Sequence, residues 1–186
     1  MDLRKRLAEP QGETEAEHSL TREFVCALVS IRAPVTVFVY GSLLSGLHNH
    51  LSYLGGSRLA SAGLTENSFW LVGNGANFPY LLTQPLRPDG HRAFQVEGEI
   101  YEVSPSVLAR LDELEGVAQQ QYSRREIKVF QQSDGKTRLC WVYVLENAAT
   151  IAAMRSDTRG RFQVVDCSSW RQHRDQQLLL ARPGDT

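Results

Sequence analysis

Strand-like runs follow one another along this chain with turns between them and few helices, and that spacing constrains its fold more than any other feature. Val35–Val39, Phe69–Val72, Phe78–Leu82, Val96–Val103, Arg125–Phe130 and Leu139–Leu145 are rich in branched and aromatic residues. Such side chains suit a pleated, half-buried surface. Ser133-Asp134-Gly135-Lys136 separates the last two runs, and an Asp-Gly turn between such runs signals a hairpin. This order predicts an α+β fold, a small mixed but mainly antiparallel β-barrel with flanking helices, and argues against a doubly wound sheet.

Val35–Leu44 reads as a strand ending in a turn. It carries no charge and is apolar on both faces, the pattern of a central strand. Tyr40-Gly41-Ser42-Leu43 closes it. A glycine there lets another group approach the backbone closely, and successive amides can converge into an anion-binding nest. From local sequence alone, a simple strand-terminating turn explains the same residues.

The 186 residues fit one domain with a sizeable core. Twenty basic residues against 21 acidic ones give a net charge of -1, which argues for neither a nucleic-acid nor a membrane partner. With no apolar run of membrane-spanning length and no recognisable targeting segment, a cytoplasmic protein is expected. Cys26, Cys140 and Cys167 are widely spaced, as buried reduced thiols are and as a disulfide framework or Cys-x-x-Cys metal site is not. His48 and His50 have no third ligand at metal-binding spacing, so backbone-bonding loop residues are expected there and no metal.

Three segments divide the chain: an extension over 1–34, a domain over 35–173 and a polar tail over 174–186. Within the extension, Leu20, Phe24, Ala27, Leu28 and Ile31 follow Ser19 at helical spacing and predict an amphipathic helix before Pro34. The Gly73–Asn77 segment fits neither nucleotide-binding glycine pattern and is expected to be a loop. Gly98 inside its strand predicts a bend or a close approach.

Ser104-Pro105 opens a helix and Gly116 stops it. On a helical wheel Leu108, Leu111 and Leu114 share a face with Val107, and Glu115 falls between Leu108 and Leu111. Of the three neighbouring acids, only Glu115 points inward. Burial and the negative end of the helix raise the pKa of such a carboxyl, which suits it to proton transfer near neutral pH. The other reading has the helix end a turn early and Glu115 pair with Arg124 or Arg125. Tyr122 fits core packing or a hydroxyl donor near the site.

Together these residues resemble the γ-glutamylcyclotransferase-like family. Val39-Tyr40-Gly41-Ser42-Leu43 with Gly46 and Asn49-His50, Asn77–Leu82, Val96-Glu97-Gly98-Glu99-Ile100-Tyr101, Leu111–Gly116, Tyr122-x-Arg124, Trp141–Val144 and Trp170 stand in the family's order. The resemblance implies a small barrel with flanking helices and a small-molecule γ-glutamyl substrate. It implies that Glu115 is the catalytic acid–base and that Tyr40, Gly41, Ser42 and Leu43 hold the γ-glutamyl group, with Tyr122 beside them. It implies no metal and no cofactor. The product would be 5-oxoproline, released as the α-amine attacks the γ-carbonyl. A non-catalytic binder on the same fold, and γ-glutamyl transfer through Ser42 with His48 or His50 as base, are the competing readings.

Overall fold

Val35–Val39 forms β1, and its place in the sheet explains why it is uncharged and apolar on both faces. The computed structural model describes residues 33–75, 77–87 and 92–180. β1 runs antiparallel to β4 (Phe94–Val103), with Val37 opposite Tyr101, and parallel to β6 (Thr137–Val144), with Val37 opposite Trp141. Paired on both edges, it buries Val37, Phe38 and Val39 almost completely. The amphipathic helix expected from Ser19 lies outside the described residues.

β2 (Arg58–Asn74) pairs with β4 on one side and with β5 (Ser123–Gln131) on the other, where Leu64 faces Phe130. The β5–β6 hairpin then returns to β1. The order β2-β4-β1-β6-β5 thus closes on itself as a five-stranded mixed barrel, with β1–β6 the parallel step. Closure leaves those strands without free edges. Beyond the barrel, the end of β2 carries a small antiparallel sheet between β3 (Phe78–Leu82) and β7 (Phe162–Val165).

Glycines allow strands and turns to approach. A Cβ at Gly98 would strike the Val39 carbonyl oxygen and the Phe38 ring, which is the close approach the sequence suggested. At Gly41 a Cβ would lie 2.8 Å from Pro79 Cδ. Gly135 takes a φ of 69° in the β5–β6 turn, as an Asp-Gly hairpin requires.

Four helices flank the sheet among the described residues: α1 (His50–Leu54), α2 (Pro105–Leu114), α3 (Ala148–Arg155) and α4 (Trp170–Leu180). Ser104 caps α2 by accepting from the Val107 N–H at 3.3 Å, and Asn147 caps α3 by accepting from the Thr150 N–H at 2.9 Å. α4 crosses residue 174, where the sequence placed the start of a polar tail. Trp170 and His173 are buried in it, so a mostly polar helix is held by a few inward side chains. Among the described residues no helix is long and apolar enough to cross a membrane.

Candidate active site

Where β1 ends, its backbone stops pairing and turns over a cavity of about 430 Å³. Tyr40, Gly41, Ser42 and Leu43 form one wall, and Glu115 and Tyr122 belong to the same lining. All six residues singled out in the sequence therefore come together, although 72 to 79 positions separate Leu43 from Glu115 and Tyr122.

The turn is tied from within by Leu44 N–H donating to the Gly41 carbonyl at 3.0 Å and Leu47 N–H to the Leu44 carbonyl at 2.9 Å. Asn49 N–H closes back on the Ser42 carbonyl at 3.2 Å, and its side-chain amide donates to Ser42 Oγ at 3.0 Å. The N–H groups of Gly41, Ser42 and Leu43 have no acceptor among the described residues. Acceptor-free amides beside a cavity are a ready anion cradle. Tyr40 is anchored differently: its ring is buried and its hydroxyl donates to the Tyr143 carbonyl at 2.8 Å.

Glu115 is the C-cap of α2, and its N–H donates to the Leu111 carbonyl at 2.9 Å. Gly116 follows with a φ of 61°, the left-handed turn that ends a helix on glycine. This stop leaves the Glu115 side chain on the cavity side, as the wheel predicted. Its carboxylate has no hydrogen-bond or ion-pair partner among the described residues. Loss of hydration raises its pKa from 4.5 to about 7.

The arginines offered as partners are engaged elsewhere. Arg124 pairs with Asp112 at 2.6 Å and lies over the Trp141 ring, while Arg125 pairs with Glu146 at 2.8 Å. Asp112 also accepts from the Tyr143 hydroxyl at 2.7 Å. Asp112 and Glu115, one helical turn apart, thus differ in role: one is saturated with donors and the other is left bare.

Burial raises the phenol pKa of Tyr40, with the negative charge of Glu115 as the next cause. Burial likewise raises Tyr122, followed by Tyr40, Glu115 and Tyr80. Both stay protonated, and both feel the Glu115 charge across the cavity they line. Tyr122 stacks on Tyr80 with ring centroids 5.8 Å apart, so it is both packing and lining.

Among the described residues, Ser42 makes no hydrogen bond to either neighbouring histidine; its hydroxyl is bonded by the Asn49 amide. His50 Nε2 instead meets the Tyr101 hydroxyl at 3.0 Å, which leaves the serine without the base a nucleophile requires.

Residues 37–172 match the family described as γ-glutamyl cyclotransferase, AIG2-like. The chain belongs to this family. A Bos taurus relative named γ-glutamylaminecyclotransferase is 39% identical over 112 residues, covering 58% of this chain and 63% of its own. The γ-L-glutamyl-butirosin B γ-glutamyl cyclotransferase of Niallia circulans is 34% identical over 113 residues, covering 58% of this chain and 65% of its own. Among solved structures, an AIG2-like protein from Mus musculus superposes with a TM-score of 0.52 at 32% identity, covering 61% of this chain and 78% of that one.

Within this cyclotransferase-family cavity, sequence reasoning missed Asn49, Gln121, Tyr143, Leu145 and Thr150. Asn49 stands between Gly46 and His50, where its local signal is that of a loop residue. Tyr143 and Leu145 come from β6 and its exit, and only the parallel β1–β6 pairing puts them beside Tyr40. Phe78, Pro79 and Tyr80, at the start of β3, complete the lining.

Proposed function

We propose that this chain releases 5-oxoproline from a γ-glutamyl amine, with Glu115 as general base and then general acid. The observation that carries the reading is a bare carboxylate, raised to about 7, in one cavity with the acceptor-free amides of Gly41, Ser42 and Leu43.

The amides fix the α-carboxylate of the γ-glutamyl group. Glu115 takes a proton from the α-ammonium, and the freed nitrogen attacks the γ-carbonyl. A five-membered lactam forms as the carbon–nitrogen bond to the leaving amine breaks; the proton held by Glu115 passes to that amine, and the second proton shed by the attacking nitrogen follows by the same route, so the amine departs as an ammonium ion. Because nucleophile and electrophile belong to one molecule, holding the substrate folded supplies much of the rate. A carboxyl near neutrality can both accept and return the proton. The protonated Tyr40 and Tyr122 hydroxyls keep the surroundings poorly hydrated without adding charge.

The amine type is supported by the lining. It contains no Lys, Arg or His among the described residues, and Glu115 is its one acidic side chain. A leaving group with a carboxylate beside the scissile nitrogen would bury that charge unpaired, which is costly. The aromatic wall of Phe78, Tyr80 and Tyr122 favours an amine carried on a methylene.

The test incubates the protein with γ-glutamyl alkylamines, γ-glutamyl amino acids and glutathione, and measures 5-oxoproline. Release from the alkylamines and its near-complete loss in Glu115→Gln are expected. Full activity in that variant would overturn the role of Glu115, and no release from any compound would turn the reading towards a binder.

A further inference from the structure

The Glu99 carboxylate belongs to none of the steps above, yet it collects more donors than any other acid near the turn. It accepts from the Ser45 N–H at 2.7 Å and the Ser45 hydroxyl at 3.0 Å. The Tyr101 hydroxyl donates at 3.0 Å and the Arg171 guanidinium at 3.3 Å. Arg171 also donates to the Ser45 carbonyl at 2.9 Å, so the peptide units on both sides of the Ser45 Cα are held. Through Tyr101 the chain continues to His50, the first residue of α1.

Glu99 does not line the cavity. It lies in a separate recess of about 240 Å³ with Leu44 and Arg171. It therefore grips the turn from behind, two residues past the last acceptor-free amide. We infer that Glu99 is a positioning residue that holds the Gly41–Leu43 amides in their convergent arrangement, the inference resting on the proposed binding of a γ-glutamyl carboxylate there.

A carboxylate suits this task because an ionised acceptor forms short, strong bonds to backbone N–H and hydroxyl donors and can hold several at once. A negative charge behind an anion cradle would by itself repel the ligand. Arg171 offsets that charge, and it reaches the turn only because α4 folds back from the far end of the chain. The side chain of Glu99 is 15% exposed and that of Arg171 42%, so the grip is sheltered on the acid's side. A functional shell held by packed, hydrogen-bonded neighbours keeps its geometry better than a loop left free.

Two measurements test this on the full-length protein. Amide hydrogen exchange over residues 40–47 reads the turn directly and needs no substrate. Glu99→Gln keeps the shape but loses the charge, and about tenfold faster exchange in that segment is expected. Ser45→Ala removes one of the four bonds and should give a smaller change in the same direction, a second reading if the first variant folds poorly.

Kinetics then separate positioning from general damage. The Michaelis constant for a γ-glutamyl alkylamine should rise about tenfold in Glu99→Gln while kcat changes little. The same substrate with its α-carboxylate converted to a carboxamide should show no further loss. Unchanged exchange over 40–47, or an equal loss with both substrates, overturns the inference. Absence of 5-oxoproline from the wild-type protein would instead overturn the proposed reaction and leave the exchange result standing on its own.

Discussion

Glu115→Gln should make the protein more stable at alkaline pH while abolishing 5-oxoproline release. Glutamine copies the shape of a protonated glutamate but cannot ionise. In the unfolded chain Glu115 titrates at its ordinary 4.5, and in the fold its pKa is raised to about 7. The unfolded state therefore gives up its proton first. Below 4.5 both states are protonated and the residue costs nothing. Between 4.5 and 7 the folded state loses stability as pH rises, and above 7 the loss is complete. A displacement of that size corresponds to about 3 kcal/mol at pH 8 and about 1 kcal/mol at pH 5. Urea melts of wild type and variant at both values would measure the difference. Expected is a gain in the variant that grows by about 2 kcal/mol from pH 5 to pH 8. A gain independent of pH, or a variant less stable than wild type at pH 8, would falsify the picture of a bare, desolvated carboxylate. The same titration should appear in catalysis as kcat/KM rising with pH through about 7, since only the ionised form accepts the substrate's proton.

Two further changes probe the frame around that group. Gly98→Ala drives a methyl into the Val39 carbonyl and the Phe38 ring, neither of which can swing aside, so a loss of about 3 kcal/mol is expected by chemical denaturation; a loss below about 1 kcal/mol would mean the barrel relaxes there. Asp112→Ala strips Arg124 and the Tyr143 hydroxyl of their shared acceptor and should cost about 2 kcal/mol. It should also move the rising limb of kcat/KM to lower pH, because it removes a negative charge one helical turn from Glu115; an unmoved limb would show that Asp112 only stabilises the fold.

How much of this could be read in the chain depended on whether the signal was local. Ser104-Pro105 and Gly116 fix α2 by capping chemistry, and the leucine spacing then fixes the direction of Glu115. The Asp134-Gly135 turn fixes the β5–β6 hairpin in the same way. β2 shows why other parts were hidden. The sequence suggested only Phe69–Val72, yet the strand starts at Arg58. Its barrel half carries Ser61, Gly63 and Thr65, small or polar residues that interrupt the apolar pattern, because that part of the barrel is crowded. A Cβ on Gly63 would lie 2.7 Å from Val129 and 3.2 Å from Ile100. Thr65 is fully buried but pays for nothing with an orphaned hydroxyl: its Oγ1 donates to the Asn67 carbonyl at 2.6 Å and accepts from the Val96 N–H at 2.8 Å, spanning the register shift between Leu64 and Ser68. Small and polar residues inside a strand are thus the imprint of neighbours distant in sequence. The site obeys the same logic. The Glu115 carboxylate was legible because a helix end aims it, whereas Tyr143 and Leu145 were not, because a parallel pairing across roughly a hundred residues places them. Arg171 is the extreme case: nothing local marks it, and it reaches Ser45 across 126 positions and Glu99 across 72.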